Sequence, residues 1–275
     1  MFDVLVGIFS YGFLVRALIV GLLVALCASL LGTSLVLKRY SMIGDGLSHV
    51  GFGTLALATA LHAAPLAVSL PIVVLAAFLL LRISENSRIK GDAAIALIST
   101  TALAVGVLVI SLTTGMNTDV TNYLFGSILT MNASDVWLSV VLAVIVLVLF
   151  VFCYHKLFAV TFDETFARAT GVRPGFYNML IALLTAVTIV LGMRMMGALL
   201  ISSLIIFPPL TAMRLCKTFR SVTIASALIS LACFFIGVVV SFVCSTPTGA
   251  TVVIINVLAF CLFWLLALLR SRAPS

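Results

Sequence analysis

The chain is a succession of apolar runs, most of them about 20 residues long and several closed by small clusters of lysine and arginine. Few folds accept such a chain. A hydrocarbon core about 30 Å thick takes about 20 apolar residues of helix to cross, at about 1.5 Å per residue. In lipid every backbone amide and carbonyl must find a partner within its own segment, so runs of this length are expected to be helices. Only 8% of the 275 residues are charged, too few to cover the surface of a soluble domain of that size. The longest charged segment, Arg82 to Asp92, leaves no room for a separate soluble domain. The expected fold is therefore an all-α integral membrane protein, a single polytopic domain over 1–275. The N-terminus lacks a signal-peptide profile: Asp3 is the only charge before Arg16, and no cleavage site follows.

On that ruler nine spans are expected, at about 12–37, 46–62, 65–82, 93–114, 135–155, 176–193, 196–215, 221–244 and 248–269. Nine spans gather five basic clusters on one side: Lys38 and Arg39; Arg82, Arg88 and Lys90; Lys156, Arg168 and Arg173; Arg214, Lys217 and Arg220; Arg270 and Arg272. That is 13 of the 15 basic residues, leaving Arg16 and Arg194 opposite, so the clustered side is expected to be cytoplasmic. The N-terminus then lies outside and the C-terminus inside. The net charge of +7 implies no nucleic-acid partner, because the basic residues sit at the ends of apolar runs. The six cysteines are scattered with no CxxC, as buried small hydrophobes would be, not a disulfide frame or a zinc site.

Four stretches break the pattern. The outer segment 113–135 has no lysine or arginine and carries an apolar patch from Tyr123 to Met131. It reads either as an ordered loop or as a short helix lying on the outer face. In the cytoplasmic segment 160–174, Thr161 and Glu164 read as a capping box, Gly171 as a helix stop and Pro174 as a block to continuation. A helix of about nine residues follows, too short to span. Phe162, Phe166 and Ala169 share one face, and Asp163, Glu164 and Arg168 can reach water. Such a helix either links two spans or docks a cytoplasmic partner. The seventh run, MMGALLISSLIIFPPLTAMR, carries Ser202, Ser203, Pro208 and Pro209. Proline breaks survive in lipid where protein or a cavity satisfies the freed groups, so this span is expected to face the interior. It is either a structural kink or part of a pathway lining. Ser245 to Ala250 is ordinary turn chemistry between the last two spans.

The remaining feature is KRYSMIGDGLSHVGFG, Lys38 to Gly53, where Asp45 and His49 stand one helical turn apart. An aspartate at a bilayer centre costs about 2.5–3.5 kcal/mol on insertion scales, so such a pair is a functional candidate by default. Carboxylate with imidazole suits zinc or manganese. Two other roles fit the spacing: Asp45 as the helix cap of the second span, and His49 as a core histidine hydrogen-bonded to Asp45. Two residues also fall short of the usual four zinc ligands, so a metal site would be completed by water or by other spans.

GDGLSHVGFG after a basic pair, DETFARATG, MMGALLISSLIIFPPLTAMR and TPTGA occur in that order. Together, over about Gly21 to Leu269, they resemble the membrane permease of bacterial ABC importers for zinc and manganese, the ABC-3 family. The resemblance implies a role in metal passage for Asp45 and His49. It also implies that residues 162–171 are a coupling helix, with Phe162, Asp163, Glu164, Phe166, Arg168 and Gly171 serving contact with the ATPase. The implied complex holds a second copy of the permease, two cytoplasmic ABC ATPase subunits and an extracellular or periplasmic metal-binding protein, in the bacterial cytoplasmic membrane. Zinc, or manganese or iron, is then transported substrate and no cofactor is resident. Many family members carry an aspartate before the last outer turn; Ser245 stands there in this chain, so that carboxylate is missing from the ligand set.

No Walker A pattern, nucleophile elbow or HExxH occurs, so ATP hydrolysis is expected on a separate subunit. The rival from another class is an ion-coupled secondary transporter, in which Asp45 and His49 relay protons. The two halves show no internal repeat to support it. The topology is directly testable. Membrane-impermeant thiol reagents added outside are expected to modify cysteines placed at Asn117 or Thr248 and to spare those at Ser87 or Thr170. Labelling of all four from one side rules out nine spans.

Overall fold

In the computed structural model the described residues are 12–86, 91–113, 126 and 133–272. They form ten helices and, among the described residues, no strand. In chain order these are α1 (Gly12–Leu37), α2 (Ser41–Ala60), α3 (Pro65–Asn86), α4 (Gly91–Thr113), α5 (Ala133–Phe162), α6 (Glu164–Ala169), α7 (Pro174–Met196), α8 (Ala198–Ala212), α9 (Phe219–Cys244) and α10 (Thr248–Arg272). The outer segment 114–132 lies outside the described residues apart from Gly126, which sits against the backbone of Met195 and Met196.

Each expected span corresponds to a helix, but seven of the nine are long and apolar enough to cross a membrane by themselves. The other two are α2 and α8. Helix α2 mixes Asp45, His49, Ser48, Thr54 and four glycines into its 20 residues. Helix α8 has 15 residues, because Gly197, at φ 82° and ψ 161°, separates it sharply from α7. Two boundaries also need correction. Helix α2 starts at Ser41, not near Gly46, because the chain turns at Lys38 to Tyr40 and re-enters helix at once. Helix α5 runs 30 residues to Phe162, a length of about 45 Å that carries its last turns beyond a hydrocarbon core of about 30 Å.

Between helices in lipid there is little hydrophobic drive, so close packing and hydroxyl bonds hold the bundle together. Helices α1, α7 and α8 form its centre. Of the most apolar window in each, 72% of α7 and 67% of α1 are buried, against 11% of α10. Ser230 and Ser226 of α9 donate to the carbonyls of Ala25 and Ser29 in α1, at 2.9 and 3.3 Å. Such bonds contribute about 0.6 kcal/mol each.

The expectation that the Ser-Ser-Pro-Pro span faces inward holds: Ser202, Ser203, Pro208 and Pro209 are all buried, and α8 packs against α1, α2, α7, α9 and α10. Pro209 has no amide, so the carbonyl of Ile205 loses its helical donor. That oxygen meets α1 at Gly32, where an added Cβ would lie 2.0 Å from it. The proline break and the glycine are thus one packing device. Gly32→Ala is expected to cost about 1–3 kcal/mol through overpacking, read as a lower melting temperature in detergent. Gly175→Ala, whose Cβ would meet nothing within 4 Å, is expected to change little.

Candidate metal site and its cytoplasmic neighbours

From Ile43 to Ala56, helix α2 is buried at every position except Asp45 and His49. Glycines at 44, 46, 51 and 53 let its neighbours close in on the other faces: the side chains of Ile205, Ile95 and Met193 and the carbonyl of Ala102 stand where their Cβ atoms would be. The carboxylate is 41% exposed and the imidazole 27%, so one polar edge of an otherwise enclosed helix stays open.

The alternative roles for the pair do not match this geometry. Tyr40 is the N-cap of α2 and makes no side-chain cap bond, which places Asp45 inside the helix and not at its end. His49 Nε2 lies 3.7 Å from Asp45 Oδ2, beyond hydrogen-bond range. His49 Nδ1 is buried and has no hydrogen-bond partner. The two side chains therefore both keep part of their surface exposed without satisfying each other. No cluster of three or more His, Cys, Asp or Glu side chains forms among the described residues, so other protein oxygens or water must complete any coordination.

Buried hydroxyls join α2 to α8 beside this stretch. Ser48 Oγ donates to the carbonyl of Asp45 at 2.7 Å. Ser202 Oγ of α8 stands 3.0 Å from Ser48 Oγ and 3.1 Å from the carbonyl of Ala198. Ser203 Oγ and Thr211 Oγ1 are buried without hydrogen-bond partners. The structure thus brings Ser202 to the residue preceding His49. Ser245 is the exposed left-handed cap of α9, at φ 51° and ψ 41°, and ends that helix as a turn residue.

At the short helix α6 the expected capping box is not the one that forms. Thr161 belongs to α5 and donates to Leu157 O at 2.7 Å, because α5 runs about two turns farther than the sequence suggests. Asp163 caps α6 instead, its Oδ1 accepting from Thr165 N and Phe166 N at 2.8 and 2.9 Å. Helix α6 is six residues, shorter than the nine expected, and Gly171 follows its end with φ 80°. Phe162, Phe166, Arg168 and Ala169 are all exposed, but Phe162 ends α5 while the other three belong to α6. The ring of Phe162 also lies 5.9 Å from that of Phe219, at the start of α9.

Glu164 keeps 38% of its side chain exposed, as expected of the polar face, and also has partners on its inner side. Its Oε1 accepts from Lys38 Nζ at 2.8 Å and from Asn178 Nδ2 at 3.0 Å. Lys38 Nζ also donates to Asn178 Oδ1. Sequence reasoning read Lys38 only as a topology charge and passed over Asn178. A lone amide near the start of an apolar run was the available signal. Burial raises the Glu164 pKa most, but the bonds from Lys38 and Asn178 and the charges of Lys38 and Arg168 together lower it below the ordinary 4.5. A lowered folded pKa gives stability that is full above 4.5 and lost as pH falls through the lower value. Melting curves of wild type and Glu164→Gln are expected to differ at pH 7 and to converge below pH 4.5.

The model of the ABC 3 transport family matches residues 10–267. The chain is 32% identical to a probable iron transport system membrane protein of Haemophilus influenzae, covering 94% of this chain and 92% of the relative. It is 27% identical to the manganese import system permease protein ScaB of Streptococcus gordonii, over 95% and 94% of the two chains. It is 28% identical to the high-affinity zinc uptake system membrane protein ZnuB of Haemophilus influenzae, over 90% and 94%. Its fold is similar to PsaBC from Streptococcus pneumoniae, solved in complex with Fab, with a TM-score of 0.85 at 27% identity, covering 95% of this chain and 94% of that one.

Proposed function

The chain belongs to the ABC 3 transport family as the multi-pass membrane permease of an ABC metal importer, and we propose that its substrate is zinc and that Asp45 and His49 line the passage. The observation that carries the reading is the exposure pattern of α2, buried from Ile43 to Ala56 except at those two residues. An imidazole nitrogen and a carboxylate oxygen are good zinc donors, and a site with few protein ligands releases its ion readily. Ser48 and Ser202, hydrogen-bonded at the same level, supply neutral oxygens for a hydrated ion in transit. Ser203, Pro208 and Pro209 hold α8 broken and close-packed beside that route. The relatives named for iron and for manganese make those two metals the competing substrates.

In this reading the chain is one permease domain over 1–275. Nine of its helices cross the membrane, α2 and α8 among them, sheltered from lipid by their neighbours. The N-terminus is outside and the C-terminus inside. Two copies pair in the bacterial cytoplasmic membrane, each with a cytoplasmic ABC ATPase, and receive metal from an extracellular or periplasmic binding protein. ATP is hydrolysed on the ATPase subunits. The exposed Phe162 and Phe166 face of α6, with Arg168 beside it, is the surface the ATPase grips, while Asp163 and Gly171 define where that helix begins and ends.

The test is uptake into vesicles holding the assembled complex. Zinc uptake is expected to persist with tenfold excess manganese outside and to fall at least tenfold in Asp45→Asn and in His49→Ala. Asparagine keeps the shape of Asp45 and removes its charge, so wild-type uptake in Asp45→Asn removes Asp45 from the passage. Manganese or iron uptake that zinc cannot compete away assigns the permease to that metal instead. Uptake driven by a proton gradient without ATP supports the secondary-transporter reading.

A further inference from the structure

Lys38 is a buried lysine, with 7% of its side chain exposed. It closes a triangle with two groups far away in sequence: Glu164 of α6 and Asn178 of α7, the latter 4% exposed. Three elements therefore meet at one ammonium, namely the α1–α2 turn, the cytoplasmic helix and the start of a central helix.

The turn that carries Lys38 is short and strained. Arg39 N bonds Val36 O at 3.1 Å and Tyr40 N bonds Leu35 O at 2.8 Å, the paired bonds of a Schellman stop. The left-handed position of that motif, where glycine is usual, is taken by Arg39 at φ 62°. Helix α2 starts directly afterwards at Ser41, and Asp45 lies little more than a turn farther on. Such a turn has little slack, so a displacement of Lys38 is passed to α2. Leu35, Lys38, Tyr40, Ile43, Asn178 and Thr185 line this junction.

Helix α6 itself packs on α5 and α7. Its outward residues, Phe162 at its entry and Phe166, are exposed, whereas Glu164 points to the triangle. The same short helix thus presents one side to a cytoplasmic partner and holds the α1–α2 turn with the other. We infer that the Lys38–Glu164 ion pair, braced by Asn178, is the link by which movement of α6 reorients α2 and with it Asp45 and His49. The three are positioning residues; none of them touches the metal. The link rests on the reading of α6 as the ATPase-gripped helix given above.

A lysine that is merely neutralised by its neighbours would affect stability alone, so the test separates stability from coupling. The complete complex is reconstituted in vesicles with its ATPase, zinc is the probe, and zinc imported per ATP hydrolysed is measured beside zinc affinity and melting temperature. Glu164→Gln and Lys38→Met are expected to lower the ratio at least tenfold while zinc affinity moves less than twofold. The exchanged pair, Lys38→Glu with Glu164→Lys, is expected to recover at least a third of the wild-type ratio, because the Asn178 amide can rotate to serve the reversed charges. If Glu164→Gln does not assemble, Glu164→Asp keeps the charge on a shorter arm and is expected to lose at least threefold. Variants that melt lower yet keep the wild-type ratio overturn the link, as does an exchanged pair that regains stability without coupling. Wild-type complex that hydrolyses ATP and imports no metal overturns the proposed function itself, and the link with it.

Discussion

A polar group in hydrocarbon is tolerated only when protein surrounds it, and the arrangement of this bundle follows from that constraint. Helix α2, with its acid, histidine and glycines, and α8, with its paired serines and prolines, both sit among other helices. Helices α4, α5 and α10 keep most of their apolar surface open. Sheltering α2 requires neighbours at close range on nearly every side, and its glycines provide the room. What stays uncovered is the edge bearing Asp45 and His49. The burial pattern and the exposure of this polar edge are two consequences of one solvation rule.

The broken helix α8 belongs to the same arrangement. Pro209 removes the amide that would have bonded Ile205 O, and Gly32 lets that oxygen approach α1 closely. The break at Gly197 brings Ser202 level with Ser48, next to His49. A straight 20-residue helix would have buried its own backbone groups but could not have placed a hydroxyl there by so short a route. Helix breaks near a midplane site are tolerated where the freed groups line protein or a cavity.

Where α1 turns into α2 the same constraint acts on a charge. Lys38 is drawn out of water by the packing of α1 against α7, and a buried ammonium needs an anion and hydrogen-bond acceptors close by. Glu164 and Asn178 supply them, which fixes α6 to the turn entering α2. The aromatic group of Phe158, Phe162 and Phe219 holds the other side of that region, with ring centroids 5.1 to 5.9 Å apart. A surface feature of six residues is thereby tied to both the first and the second half of the chain.

Much of this was legible in the order of residues, because the period and length of apolar runs are local properties. The helix positions, the lysine and arginine bias, the short helix stopped at Gly171 and the inward-facing Ser-Ser-Pro-Pro segment all come from local rules of length, propensity and solvation. So does the Asp45–His49 pair, since an acid one turn from a histidine in an apolar context stands out in any sequence. What local rules missed was decided by contacts between distant segments. Thr161 was read as a cap, but α5 extends through it and Asp163 takes the role. Asp45 fitted a helix start until the turn at Arg39 placed that start at Ser41. Glu164 looked like a solvated charge and does stay 38% exposed, but the approach of Lys38 and Asn178, 126 and 14 residues away, gives it inner partners that spacing could not reveal. Sequence spacing sets which residues share a helix face; which face is covered depends on neighbours whose positions are fixed only when the bundle closes.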